Sequence, residues 1–146
     1  MGFDDERIMT IFDIVAGLIH LGEVEFEANS EDESAKLSEE DGVRCCMARV
    51  CRLCYLPEAG LLNALTMKTI EVGPRKEKTT IKLKDHQAST ILAYDARDAL
   101  AKAFYGRLFD WLVGTINRNI SCDKKNVKAS IGVLDIFGFE CFEHNR

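Results

Sequence analysis

The sequence predicts a mixed α/β chain, mainly helical, built on a long central helix, a β-hairpin and one buried sheet strand. Three stretches predict it. Between Asp85 and Ile120 no proline interrupts a series in which Leu92, Ala96, Leu100, Phe104, Leu108, Leu112 and Ile116 recur at steps of four. Two β-prone runs, Thr69–Val72 and Thr79–Leu83, flank a segment that begins Gly73-Pro74, a turn signal. The third stretch, Ser130 to Glu140, is apolar at nearly every position before it reaches Asp135 and, three residues on, Gly138. Burial on both faces gives a strand that pattern.

In chain order, Asp4-Asp5-Glu6 precedes Ile8, Ile11, Phe12, Val15, Leu18 and Ile19, whose spacing fits one face of a helix with acids at the positive end of its dipole. Gly22 ends it. Val24 and Phe26 then alternate with Glu23, Glu25 and Glu27, as in a short half-exposed strand. Residues 28–42 carry six acids against Lys36 alone, too little apolar surface to offset ordering, and read as a mobile surface loop. Val43–Leu56 resumes helical spacing, and Pro57 breaks it and opens a helix with Leu61, Leu62 and Leu65. The central helix, about 34 residues at 1.5 Å each, makes a rod of about 50 Å. Such a spine suits a body larger than these residues supply.

Composition narrows the function classes. The chain has 146 residues, 47% of them hydrophobic and 29% charged, which is enough for one core. A net charge of −5 argues against nucleic acid as a partner. No apolar run approaches the ~20 residues of a membrane span, and the acidic first residues are unlike a signal peptide, so a cytosolic protein without membrane insertion is expected. Of the six cysteines, Cys51-x-x-Cys54 has ligand-like spacing. Cys45, Cys46, Cys51 and Cys54 nonetheless lie in a helical pattern with Val43, Met47, Val50 and Leu53, where free cysteine acts as a small hydrophobe; a packed, reduced role is expected rather than zinc.

Two stretches carry candidate chemistry. In open α/β sheets ligands gather beyond the carboxyl ends of the strands. There the Asp135 carboxylate can hold Mg²⁺ or its water, and the Gly138 N–H can approach a phosphate because no Cβ stands in front. Asp-x-x-Gly alone equally describes a core strand ending in a turn capped by Asp135. The hairpin tip, with Arg75, Lys76 and Lys78, suits docking on an acidic protein surface, although a solvated loop tip has the same composition.

Extension of the motif settles which family it resembles. Ile131-Gly132-Val133-Leu134-Asp135-Ile136-Phe137-Gly138-Phe139-Glu140 resembles the switch II segment of the myosin motor domain. Ile11-Phe12-Asp13-Ile14-Val15-Ala16-Gly17-Leu18-Ile19-His20-Leu21-Gly22 resembles the family's helix ending in His-Leu-Gly. Leu61–Thr66 resembles the segment before the cardiomyopathy loop, and Ala96–Tyr105 with Leu108–Val113 the long helix after it. The four motifs keep the family's order.

That resemblance implies one incomplete domain, residues 1–146, of a P-loop NTPase motor: an actin-based, ATP-hydrolysing cytoskeletal motor whose cofactors are ATP and Mg²⁺ and whose partners are the actin filament and the remainder of the heavy chain. By resemblance, residues 131–140 are switch II. Asp135 acts in the second shell of the Mg²⁺, Gly138 binds the γ-phosphate, and Glu140 pairs with an arginine of switch I. Residues 72–80 become the actin-binding loop, with Arg75, Lys76, Glu77, Lys78, Thr79 and Thr80 as its contacts; the charged or phosphorylatable regulatory position falls on Glu77 if one extra helical turn lies between Leu83 and Arg97 and on Lys82 without it, with Thr79 and Thr80 as neighbouring candidates.

Phosphoryl transfer needs more than one switch. No Gly-x-x-x-x-Gly-Lys-Ser/Thr occurs in the chain, and switch I is absent too. These residues alone are therefore expected to bind no nucleotide and hydrolyse none. A strand without its parallel neighbours also leaves apolar faces and edges uncovered, so the isolated chain is expected to be partly molten or oligomeric. A free-standing interaction protein that keeps only the actin-facing finger is the alternative, as is another P-loop NTPase with Asp-x-x-Gly.

Overall fold

The computed structural model describes residues 2–72, 77–82, 86–122, 128–136 and 138. Helix α1 spans Asp5–Gly22. Asp4 is its N-cap: the carboxylate accepts the Arg7 N–H at 2.8 Å, and Asp5 and Glu6 occupy the first turn. At the other end the Glu23 and Val24 N–H groups bond back to the carbonyls of His20 and Leu21. The apolar stripe on this helix divides. Gly17 and Leu21 are buried against the body, whereas Ile8, Phe12 and Ile19, expected to pack with them, face outward. They meet no helix or strand that covers them among the described residues.

Strand β1, Phe26–Ala28, pairs antiparallel with β2, Ala35–Leu37, in the register Phe26↔Leu37, Glu27↔Lys36 and Ala28↔Ala35. The acidic stretch 28–42 is thus not a loop throughout. Its turn is organised by short side chains, for the Asn29 carbonyl group accepts the Glu31 N–H at 3.1 Å and Asp32 accepts from the N–H and hydroxyl of Ser34. Ala35 is buried and Leu37 half-buried, which gives the strand an inner face that composition concealed.

Helix α2, Asp41–Leu53, buries Val43, Met47 and Val50 at helical spacing, and α3, Glu58–Thr66, follows Pro57 and buries Leu61 and Leu65. A single core joins Leu21, Val24, Phe26, Ala35, Met47, Val50, Leu61, Leu65 and Ala93. Strands β3, Met67–Val72, and β4, Glu77–Lys82, form a second antiparallel pair running from Met67↔Lys82 to Val72↔Glu77.

Helix α4, His86–Ile120, is the spine, with 35 residues in contact with α1, α3, β1 and β2. Its four-step series is covered for most of its length: Leu108 is buried and Ala96, Leu100, Phe104, Leu112 and Ile116 are half-buried. Each step of four overshoots one turn by about 40°, so the seven residues from Leu92 to Ile116 wind through about 240°. Leu92 is accordingly exposed, and the buried positions are Ser89, Ala93, Leu108 and Thr115. Mixed steps of three and four connect them.

The expected buried strand has neither a ladder partner nor a cover among the described residues. Residues 131–136 form no strand with any described residue, and Ile131, Val133, Leu134 and Ile136 are 96, 92, 83 and 71% exposed. A strand is stabilised by its ladder and by covered faces, and among the described residues neither exists for this one. The described sheets are both antiparallel and two-stranded.

Candidate functional site

Two candidate regions lie on either side of α4 in the chain. On the C-terminal side, Asp135 and Gly138 stand in the extended, exposed segment; Glu140 lies outside the described residues. The Asp135 carboxylate makes no hydrogen bond or ion pair with a described residue. A Cβ placed on Gly138 meets no atom within 4 Å, so packing inside the chain does not call for a glycine there. The carboxylate and the Gly138 N–H are both open to a ligand of the kind the sequence suggests. That is the extent of the fit these residues offer to a magnesium-bound phosphate.

On the N-terminal side is the β3–β4 hairpin. Arg75 and Lys76 lie outside the described residues. Glu77, Lys78, Thr79 and Thr80 are strand residues, with backbone partners Val72, Glu71, Ile70 and Thr69. The first strand ends at Val72, as expected, and the second begins at Glu77, two residues before the β-prone run at Thr79. Among the described residues no group of three or more His, Cys, Asp or Glu is placed to hold a metal. Cys45, Cys46, Cys51 and Cys54 are free thiols along α2 and its end. Burial pushes the thiol pKa of Cys51 and Cys54 up, assisted at Cys51 by Glu58 and at Cys54 by Cys51 and Asp13.

What fixes α4 between these regions is a set of side chains the sequence reading did not single out for this role. The Arg97 Nη1 donates to the carbonyls of Gly22 and Val24 at 3.1 and 2.9 Å. Its guanidinium lies 5.0 Å from the Tyr94 ring centroid, and its Nε and Nη2 each meet Asp98 Oδ1 at 2.8 Å. The Tyr94 hydroxyl accepts the Phe26 N–H at 3.2 Å, and the two rings meet edge to face at 5.4 Å. Ser89 Oγ donates to the Glu33 carbonyl at 2.9 Å. Ser89, Ala93 and Arg97 form their own line at steps of four, one position along from the Leu92–Ala96–Leu100 series, so a reading that followed only the large apolar residues left Arg97 off it.

Further along, α4 and α1 enclose a mainly apolar groove of about 490 Å³ lined by Ile11, Ile14, Phe104, Leu108 and Trp111, with Arg7 and Arg107 at its rim. The Phe3 ring lies 5.7 Å from that of Trp111. No helix among the described residues is long and apolar enough to cross a membrane.

Comparison with known proteins covers the whole chain. The family model for the myosin head (motor domain) matches residues 1–146. Unconventional myosin-XIX of Mus musculus is 38% identical over 145 residues, covering 99% of this chain and 14% of the relative. Unconventional myosin-Ib of Rattus norvegicus is 37% identical over 149 aligned positions, covering 99% of this chain and 12% of the relative. Unconventional myosin heavy chain 6 of Caenorhabditis elegans is 38% identical over 142, or 97% of this chain and 6% of its own. The chain thus spans about an eighth of the first two. With the family model matching from end to end and more than a third of the residues shared, the chain belongs to the myosin head family.

Proposed function

We propose that this chain supplies the phosphate-sensing and actin-facing portion of an actin-activated, ATP-hydrolysing myosin motor that works in the cytoplasm on the cytoskeleton. The observation that carries the reading is the placement of Leu134-Asp135-Ile136-Phe137-Gly138-Phe139-Glu140 after the long α4 spine in a chain that matches the myosin head throughout.

In this reading Asp135, Gly138 and Glu140 are switch II. The Asp135 carboxylate would stand in the second shell of the Mg²⁺, the Gly138 N–H would donate to the terminal phosphate, and Glu140 would form an ion pair with an arginine elsewhere in the heavy chain. ATP and Mg²⁺ supply the phosphoryl group and the charge that neutralises it. The exposed Asp135 and the open space around Gly138 support this assignment. The hairpin presents Arg75, Lys76, Glu77, Lys78, Thr79 and Thr80 to an acidic face of the actin filament, where complementary charge governs encounter and register.

The phosphate cradle and switch I are not recognised among these 146 residues, so the chain by itself is expected to show no ATPase. That same observation favours a second reading, a non-catalytic actin-binding protein derived from a myosin head. The complete heavy chain separates the two. The motor reading expects ATP turnover that actin accelerates and that Asp135→Ala abolishes, with actin affinity falling when Arg75, Lys76 and Lys78 are reversed to glutamate. Actin cosedimentation without any turnover establishes the second reading.

A further inference from the structure

Helix α4 is held by side chains that bond to main-chain atoms of three separate segments. Ser89 reaches the Glu33 carbonyl, Tyr94 the peptide of Phe26, and Arg97 the carbonyls of Gly22 and Val24. A carbonyl cannot swing away as a side chain can, so such bonds fix both the height and the rotation of the helix. Arg97 contributes most. Its side chain is only 16% exposed, it grips two carbonyls at the end of α1 and the approach to β1, and Asp98 and the Tyr94 ring fix the orientation of its fork.

The place of this grip along the helix matters. Arg97 lies about three turns from the start of α4, which follows the β3–β4 hairpin closely, and about six turns from its end, beyond which the Asp135–Gly138 segment follows. A rod gripped near one end, here at Ser89, Tyr94 and Arg97, passes a displacement at its short end to its long end. An unheld rod slides or rolls in its bed instead, and the displacement is lost.

We propose that Arg97 is a positioning residue for actin activation, pinning α4 to α1 and β1 so that docking of the β3–β4 hairpin is felt at the phosphate switch. This rests on the motor reading. The contact would couple two sites without touching either ligand, through one rigid element whose setting both sites bias.

The test uses the complete heavy-chain motor, unsubstituted and as Arg97→Gln, Arg97→Lys and Tyr94→Phe. Basal ATPase, maximal actin-activated ATPase, actin cosedimentation and thermal midpoint are measured for each. Arg97→Gln is expected to keep basal turnover and actin affinity within about twofold while the actin-activated maximum falls roughly tenfold, a typical coupling size. Arg97→Lys recovers part of the loss because it retains the charge, and Tyr94→Phe, which keeps the ring, gives a smaller loss and serves if Arg97→Gln does not fold. Unchanged activation in Arg97→Gln overturns the inference. So does a proportional fall of basal and activated rates with a lowered midpoint, which marks a merely structural contact. Absence of actin activation in the unsubstituted motor overturns the motor reading and this inference together.

Discussion

Gly17 of α1 lies directly against Cys54 at the end of α2: a Cβ built on the glycine would stand 2.5 Å from the Cys54 Sγ and 3.5 Å from the Leu53 Cβ. The absence of a side chain sets how closely the two helices approach. Gly17→Ala is expected to destabilise the protein by up to about 2 kcal/mol, because overpacking costs about 1–3 kcal/mol and improved helix propensity returns about 1. Adding Cys54→Ala removes the obstructing sulfur. Denaturant unfolding of the single and double variants should show that restoration; additive losses would mean that the contact does not limit the packing.

Tyr94→Phe keeps the edge-to-face contact with Phe26 and removes the hydroxyl that accepts the Phe26 N–H. A net loss of about 1 kcal/mol is expected, the usual size for one part-buried hydrogen bond. Tyr94→Ala should cost more, since the ring also supports the Arg97 guanidinium. Equal losses would show that the ring packing contributes nothing.

The thiols should react in order of burial. Cys45 and Cys122 are exposed, whereas burial raises the pKa of Cys51 and Cys54 and disfavours their thiolates. Alkylation near pH 8 is therefore expected to label Cys45 and Cys122 first, read by peptide mass mapping. The sign for stability follows. With the folded values above the unfolded ones, the contribution is complete below the unfolded pKa. It is lost as pH rises through the folded values, because the unfolded chain releases its thiol protons first.

Ile131, Val133, Leu134 and Ile136 add four large apolar side chains to the surface beside those left outward on α1. The 146-residue chain on its own is expected to associate, with a melting transition that depends on concentration and dye binding that reports exposed apolar surface. Val133→Ser with Leu134→Ser should reduce both. A sharp, concentration-independent transition in the unsubstituted chain would contradict this.

Legibility in the sequence followed how local each cause was. Asp4, Pro57 and the spacing of Val43, Met47 and Val50 act within one helix, and the helices stand where these residues put them. Burial depends on neighbours. The Ile8–Phe12–Ile19 stripe and the 131–136 run are apolar enough for a core, yet among the described residues they have no cover. Strand β2 was hidden among acids because only Ala35 and the half-buried Leu37 mark its inner side. Arg97 was missed because its partners are backbone carbonyls more than seventy residues away, and no side-chain pattern records them. The motif at Asp135 and Gly138 was readable as chemistry; how it meets a phosphate depends on segments elsewhere in the heavy chain.

The most direct measurement is the hydrolysis step in the complete heavy chain carrying Gly138→Ala, followed as phosphate formed on the enzyme in a single turnover. The substitution keeps the N–H and sets a methyl in its approach, so ATP is expected to bind while hydrolysis slows on the order of a hundredfold, the scale set by a misplacement of about 1 Å. Nucleotide binding and hydrolysis at the unsubstituted rate would contradict the assignment of Gly138 to the phosphate.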